Sequence, residues 1–575
     1  MKNVRTFLWI GLALILLVNV QVWMAEFGPR DAAVAEAQRQ AAERQRRENP
    51  LAEEVPAAGD VPAAPAAATA GGDDGDVPVV TPAPAAAASD ATGPVRILNV
   101  RTDVLDVDIS LRGADIVRAD LLEYPVKKGG DVPVRLLRNN GPGDQYVLQT
   151  GLTGAAANTQ PGSYPTHVAL FSTPFQGFRL EDGLDELRVP FTWTSPEGVQ
   201  VTKTLVFHRG SYRIDVVHEV INNSGAPWSI APYAQIQRDM PRAERKYFDV
   251  ASYSFTGPAI WDGRKYEKLD IRDTDDATLD REVTSGWLAT LQHHFVSAIV
   301  PPLGEKHRFT MRVRGEEFRA TDLGETRTIA PGSVETITQT LFVGPKLQRQ
   351  LRTLHPELDR TTDYGKLTFL SKPLFWLLDK AHVIFSNWGW AIVAVTFLLK
   401  LLFYPLSEAS GRSMAKMRLV APRMKQLQEQ YKDDRQKLGQ AMMELYKQEK
   451  VNPAAGCLPM LIQLPVFFAF YWVLLESVEM RQAPFVGWIQ DLSSRDPYFI
   501  LPAVMAGAMF LQYKLQPTPA DPVQAKVFMI MPLVMSVMFA FFPAGLVLYW
   551  VTNTILTIAQ QWNINRRIEM SRTRR

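Results

Sequence analysis

Residues 388–405 run Trp-Gly-Trp-Ala-Ile-Val-Ala-Val-Thr-Phe-Leu-Leu-Lys-Leu-Leu-Phe-Tyr-Pro, from Trp388 to Pro405. One charge, Lys400, interrupts an apolar run whose length fits a membrane-spanning helix. A lysine near the bilayer centre costs about 2.5–3.5 kcal/mol on insertion scales. Nothing in helix packing requires that cost, and two readings stand. Lys400 either snorkels to the nearer surface, reached at Leu406 roughly 9 Å away, or does work at depth. Thr396 precedes it by four residues and shares its helix face.

The rest of the chain divides around this span. At 575 residues it is too long for one domain, and its single cysteine, Cys457, excludes an intramolecular disulfide. Residues 1–25 contain an apolar run from Thr6 to Met24 behind Lys2 and Arg5. No small-residue cleavage site follows, so it reads as a retained first anchor. Residues 26–95 form a linker; from Leu51 to Val95 it holds 15 Ala, 7 Pro and no aromatic residue, too little apolar surface to fold.

Residues 96–344 alternate in the period of strands, with turn residues between short Val-, Thr-, Tyr- and Phe-rich runs. Val199–Phe207 and Tyr212–Ile221, joined by His208-Arg-Gly-Ser211, read as a hairpin. The whole stretch predicts a large all-β antiparallel sandwich. Such sandwiches often bind sugars, yet His218, Glu219, Asp249, His293 and His294 fall in no catalytic spacing. They read as ordinary strand or surface residues, and Asn222-Asn-Ser224 is a sequon of the kind chance produces.

Residues 345–387 connect to the membrane part. Leu374, Leu377, Leu378, Ala381 and Phe385 share one face of a helix against Lys372, Asp379, Lys380 and His382, a pattern suited to the interface. Residues 388–406 are the second span and 457–562 carry four more, with Asp496-Pro497 expected to cap and begin one of them. Pro543-Ala-Gly545 breaks an apolar stretch too long for one span.

Between the spans, residues 407–456 read as a helical hairpin with ten Lys/Arg, including Arg412, Lys416, Arg418, Arg423 and Lys425. The basic tail, 563–575, contains Arg566, Arg567, Arg574 and Arg575. By the positive-inside rule the hairpin and tail are both cytoplasmic, so an even number of spans separates them. The expected architecture is multidomain: an α-helical six-span core plus a β-sandwich, both termini inside and the sandwich outside.

Polar residues in the spans are few: Gln463, Gln512, Thr552, Asn553, Thr554, Gln560 and Gln561 join Thr396 and Lys400. Groups of this kind face one another or a water-filled cavity. No carboxylate lies at depth, as a proton or sodium pump would carry. The hairpin's charges suit acidic lipid, ribosomal RNA or an acidic partner, and suit equally a solvated face obeying the topology rule.

Several motifs together resemble the YidC membrane protein insertases, in their long Gram-negative form. They are Ser413-Met-Ala-Lys-Met-Arg418, Lys450-Val-Asn-Pro-Ala-Ala-Gly-Cys-Leu-Pro-Met-Leu-Ile-Gln-Leu-Pro465, Arg481-Gln-Ala-Pro-Phe485, Trp488-Ile-Gln-Asp-Leu-Ser493 and Phe542-Pro-Ala-Gly-Leu-Val-Leu-Tyr549. The resemblance implies an insertase and chaperone of the bacterial inner membrane, acting on nascent inner-membrane proteins alone or beside the Sec translocon, with the ribosome a further partner. It implies a hydrophilic groove with a basic residue, usually arginine, at the place of Lys400. The charge survives here and the guanidinium fork does not. Thr396, Gln463 and Asn553 fall among the groove positions, and the client-contacting aromatic pair reads Tyr549-Trp550.

No Gly-rich Lys-Ser/Thr nucleotide motif is present. Neither cofactor, metal, catalytic residue nor DNA partner is expected. Two other classes compete: a solute or ion transporter, which predicts internal repeats, and an anchored periplasmic carbohydrate enzyme, which predicts activity in the sandwich.

Overall fold

A computed structural model describes residues 95–141, 143–154, 163–240, 254–431, 434–449, 458–515 and 522–573. The expected first anchor, most of the linker, Asp249, Cys457, Arg574 and Arg575 lie outside the described residues. The chain forms two compact units, one all-β and one helical.

The β unit holds two sheets, of eleven and eight strands. Among the described residues, pairing is antiparallel except where Ile97–Arg101 lies parallel to Gly177–Arg179. In the larger sheet Trp228–Asp239 is central, flanked by Gln145–Gly154 and Glu317–Gly324. In the smaller sheet Val199–His208 pairs with Arg213–Asn222 in the register Val199↔Asn222 to Phe207↔Ile214, which places the sequence-expected hairpin. Inward residues alternate along it: Val199, Val201, Leu205 and Phe207 are buried, while Gln200 faces water. With Leu98, Val107, Leu148, Ile236 and Phe309 they form one continuous core.

Lys203 falls at an inward position of this alternation and is fully buried. Its ammonium donates to Gly113 O at 2.6 Å, Thr150 O at 2.9 Å and Asp115 Oδ1 at 3.1 Å. Burial pushes the Asp115 carboxyl up to about 6, against the pull of Lys203. His218, directly opposite Lys203 on the neighbouring strand, is buried with neither ring nitrogen bonded. Burial and the nearby ammonium hold its pKa well below the usual imidazole range. His218 and Glu219 are strand residues, and His293 and His294 stack at 3.7 Å at a hairpin turn. The sequon asparagine, Asn222, is buried, its amide donating to Ala226 O and Ile329 O.

The helical unit contains α1 (Thr368–Phe385), α2 (Trp388–Leu402), α3 (Tyr404–Gln430), α4 (Arg435–Gln448), α5 (Leu458–Glu476), α6 (Ile500–Leu515), α7 (Pro522–Phe539) and α8 (Ala544–Thr573). Its core gathers Leu374, Ile392, Val395, Phe470, Met505, Leu546 and Tyr549. α8 is central, touching α2, α3, α5 and α6. Its first N–H groups are met by the preceding loop: Ala544 N donates to Ser494 O at 2.7 Å and Gly545 N to Leu492 O at 2.9 Å.

Several boundaries differ from the sequence expectation. The span expected over 388–406 is helical only to Leu402, because Tyr404-Pro405 starts a new helix. α2 and the first part of α3 meet at a bend of 65°. No single described helix is long and apolar enough to cross a membrane; the bent pair passes that test together. Pro497 does not open α6. The chain turns at Phe499 (φ 57°) and the helix begins at Ile500, although Asp496 still caps it by accepting from Leu501 N at 2.7 Å.

On α1 the buried face is Leu374, Phe375, Leu378 and Ala381, whereas Phe385 is exposed. The outward face is also apolar, through Phe369, Trp376, Val383 and Ile384. The break at Pro543-Ala-Gly545 separates α7 from α8. α3 and α4 form the hairpin: Val420, Met424 and Leu445 pack between them, and Asp434 caps α4 by accepting from Gln436 N and Lys437 N.

Candidate functional site

α2 is fixed at its start by Asn387, whose Oδ1 accepts from Trp390 N at 3.1 Å while its amide donates to Phe485 O at 3.1 Å. Close approach follows, since a Cβ on Gly389 would lie 2.0 Å from the Phe485 ring. Three turns on, Lys400 emerges beside α8. Its ammonium donates to Thr557 Oγ1 at 2.8 Å, and the Thr557 hydroxyl donates to Asn553 O at 2.7 Å.

These groups line a cavity of about 240 Å³ built from α2, α3, α5, α6 and α8. Lys400, Gln463, Trp550 and Asn553 are all on its wall, with Gln512, Thr554, Gln560 and Gln561. Phe403, Leu406, Phe467, Met509 and Ile564 supply its apolar surface. No Asp or Glu lines it, so Lys400 is the one formal charge among the described lining residues. The acid nearest in sequence on α3, Glu408, is taken by Arg412 at 2.6 Å. No group of three or more His, Cys, Asp or Glu able to hold a metal occurs among the described residues.

Two of the sequence-expected positions lie off the wall. Thr396 is buried, and its hydroxyl donates to Ile392 O at 2.6 Å within its own helix. Tyr549 is also buried, stacked on Phe470 with ring centroids 4.5 Å apart, and its hydroxyl accepts from Gln463 Nε2. Of the aromatic pair, only Trp550 reaches the cavity.

Sequence reasoning missed Thr557, Ser407 and Ser410, which also line it. The signal was present on α8: Trp550, Asn553, Thr557, Gln560 and Ile564 recur every three or four residues, one helix face.

None of Arg412, Lys416, Arg423, Lys425, Arg566 and Arg567 is among the described lining residues. Arg412, Lys416, Arg423 and Lys425 are exposed on α3, and Arg418 is on the same helix. Arg423 pairs with Glu449 across the hairpin. Arg566 and Arg567 are exposed near the end of α8, with the Arg566 guanidinium 5.5 Å from the Trp562 ring.

The described helices thus enclose a cationic, carboxamide-rich cavity within an apolar surround, in a chain whose other unit is all-β. Residues 380–572 match the family described as 60Kd inner membrane protein, and residues 97–377 match the YidC periplasmic domain. The membrane protein insertase YidC of Thioalkalivibrio sulfidiphilus is 48% identical over 577 residues, covering 99% of each chain. That of Methylococcus capsulatus is 44% identical over 554 residues, covering 96% of each. A solved active YidC insertase is similar with a TM-score of 0.37 and 18% identity, over 81% of this chain and 93% of that one.

The chain belongs to the YidC family of membrane protein insertases. It is an inner-membrane protein with a periplasmic domain, acting on nascent membrane proteins, and it is not an enzyme. The transporter and carbohydrate-enzyme readings are set aside by this membership.

Proposed function

We propose that this insertase passes the polar segment of a client through the cavity beside Lys400. Hydrocarbon is replaced there by hydrogen-bonding groups over part of the membrane, which lowers the barrier for a polar tail. The client's apolar span then leaves into lipid, driven by the hydrophobic effect. Lys400 attracts acidic groups of the tail as a point charge, without the bidentate grip of an arginine.

The observation that carries this reading is the ammonium on a wall whose described residues include no carboxylate and no second charge. A charge matched by an acid would have no attraction left to offer a client. The membrane part acts as six spans with both termini cytoplasmic, α2 and α3 crossing as a bent unit. The hairpin bases Arg412, Lys416, Arg418, Arg423 and Lys425, with the tail arginines, meet acidic lipid or the ribosome. Cooperation with the Sec translocon belongs to the same proposal.

The test is depletion of the endogenous insertase followed by rescue. Lys400→Arg restores insertion of a client with an acidic tail, and Lys400→Glu does not. Normal insertion of that client by Lys400→Glu sinks the charge attraction.

A further inference from the structure

Lys400 lies in the last turn of α2, where opposing forces act on its ammonium. The Cα–Cβ bond tilts toward the helix N-terminus, which starts the stem away from Leu406. The carbonyls that close α2, and water beyond Leu406, draw a cation the other way. The flexible four-carbon stem can answer either pull, because the head is a compact point charge. α2 by itself therefore leaves the depth of this charge open.

Thr557 of α8 supplies a fixed acceptor. Its hydroxyl proton goes to Asn553 O at 2.7 Å, one turn back in its own helix. A hydroxyl has a single proton, so toward the cavity Thr557 Oγ1 can only accept. Lys400 Nζ takes that place at 2.8 Å. The relay from ammonium to hydroxyl to carbonyl runs in one direction and ends on helix backbone, which sets its height. No carboxylate and no second charge among the described lining residues competes for either group. An ion pair would also hold the ammonium, but it would cancel the charge. The hydroxyl holds it through a charge-assisted hydrogen bond and leaves the charge in place.

We infer that Thr557 is a positioning residue: it pins the Lys400 ammonium at one depth and so sets which tail position of a client an acidic residue must occupy. This inference rests on Lys400 attracting acidic groups of the client, and it adds a positional selectivity that charge alone does not give. An extended tail advances about 3.3 Å per residue, so a charge fixed to within that length separates one or two positions from the rest. An ammonium sweeping one helical turn, about 5.4 Å, blurs them.

The test is an acid scan in proteoliposomes of the full chain. A single-span client carries an otherwise neutral polar tail, with one aspartate moved along it a position at a time. Insertion by the unsubstituted chain is expected to peak at one or two adjacent positions, about fivefold above the rest, the scale of one partly hydrated ion pair. Thr557→Val, close in shape and without the hydroxyl, is expected to flatten the profile to within about twofold. Thr557→Ser keeps the hydroxyl and is expected to keep the peak in place. Damage to packing alone lowers every position alike and leaves the peak where it was.

A peak of unchanged position and relative height in Thr557→Val overturns the inference. So does a flat profile for the unsubstituted chain. Lys400→Met, run beside them, reads the charge attraction: a peak that survives it removes that attraction and the positioning with it. A peak lost in Lys400→Met and kept in Thr557→Val removes the positioning alone. If Thr557→Val is not recovered in the membrane, Thr557→Ala takes its place with the same expectation.

Discussion

Lys203 and Lys400 pose the same physical problem, a cation held in an apolar surround, and the chain answers it differently. Lys203 sits between the two sheets with an acid, Asp115, and two backbone carbonyls around its ammonium. Lys400 has a neutral hydroxyl, Thr557, and a cavity. The first arrangement is closed, and the second faces a cavity. Replacing Lys203 by Met should therefore destabilise the sandwich by about 3–5 kcal/mol, by stranding Asp115.

The pH dependence of that loss has a definite sign. The folded Asp115 pKa, about 6, lies above the unfolded value of about 3.9, so the folded state holds the proton more tightly. The contribution of the protonated carboxyl is complete below the unfolded pKa and disappears as pH rises through the folded one. Without the ammonium the folded pKa rises further. The melting temperature of Lys203→Met should fall between pH 5 and 8 more steeply than that of the unsubstituted chain. Parallel melting curves would show that the ion pair does not set the pH response.

At the scale of elements, helix contacts near the cavity depend on small residues. A Cβ on Gly411 of α3 would lie 2.7 Å from Ile564 Cδ1 and 3.1 Å from Gln561 Oε1 on α8. Those are ends of flexible side chains, so Gly411→Ala is accommodated by small shifts. Gly411→Leu is not, and should prise α3 from α8, lowering both thermal stability and client insertion several-fold. Full activity for Gly411→Leu in the rescue assay would mean that this contact is not needed. Much of this layer was legible in the sequence. The hydrophobic periods distinguish the 199–221 hairpin from the helices, the seam of α3 and α4 shows in Met424 and Leu445, and Pro543-Ala-Gly545 marks a break. What was not legible involves partners distant in the chain. Thr396 shares a helix face with Lys400, yet its hydroxyl turns back to Ile392 O. The residue that holds the ammonium, Thr557, comes from a helix 157 positions later. Periodicity on one helix gives a direction and does not name the neighbour. Likewise Pro497 looks like a helix start until the left-handed turn at Phe499 delays the helix.

For the whole molecule, the two units have separate hydrophobic cores, one of strand residues and one of helix residues. Such a division suits a chain whose parts fold in different solvents, and it makes the membrane topology the strongest remaining test. The argument for topology is electrostatic. The hairpin and the tail carry the basic residues, and cytoplasmic loops retain Lys and Arg. The loop between α5 and α6 holds Glu479, Arg481, Asp491, Arg495 and Asp496, with no excess of Lys and Arg. Cys457 is the chain's single cysteine, so Cys457→Ser provides a background for placing one thiol at a time. Val486 and Gln440 are exposed, in the α5–α6 loop and in α4, and Arg567 is exposed near the end of α8. A membrane-impermeant maleimide added outside spheroplasts should label Val486→Cys directly. Gln440→Cys and Arg567→Cys should react only after the membrane is permeabilised. Labelling of Gln440→Cys from outside would place the basic hairpin in the periplasm, and the six-span arrangement could not then stand. Equal inaccessibility of Gln440→Cys and Arg567→Cys is what an even number of crossings between hairpin and tail requires, because an odd number would put one of them on the labelled side.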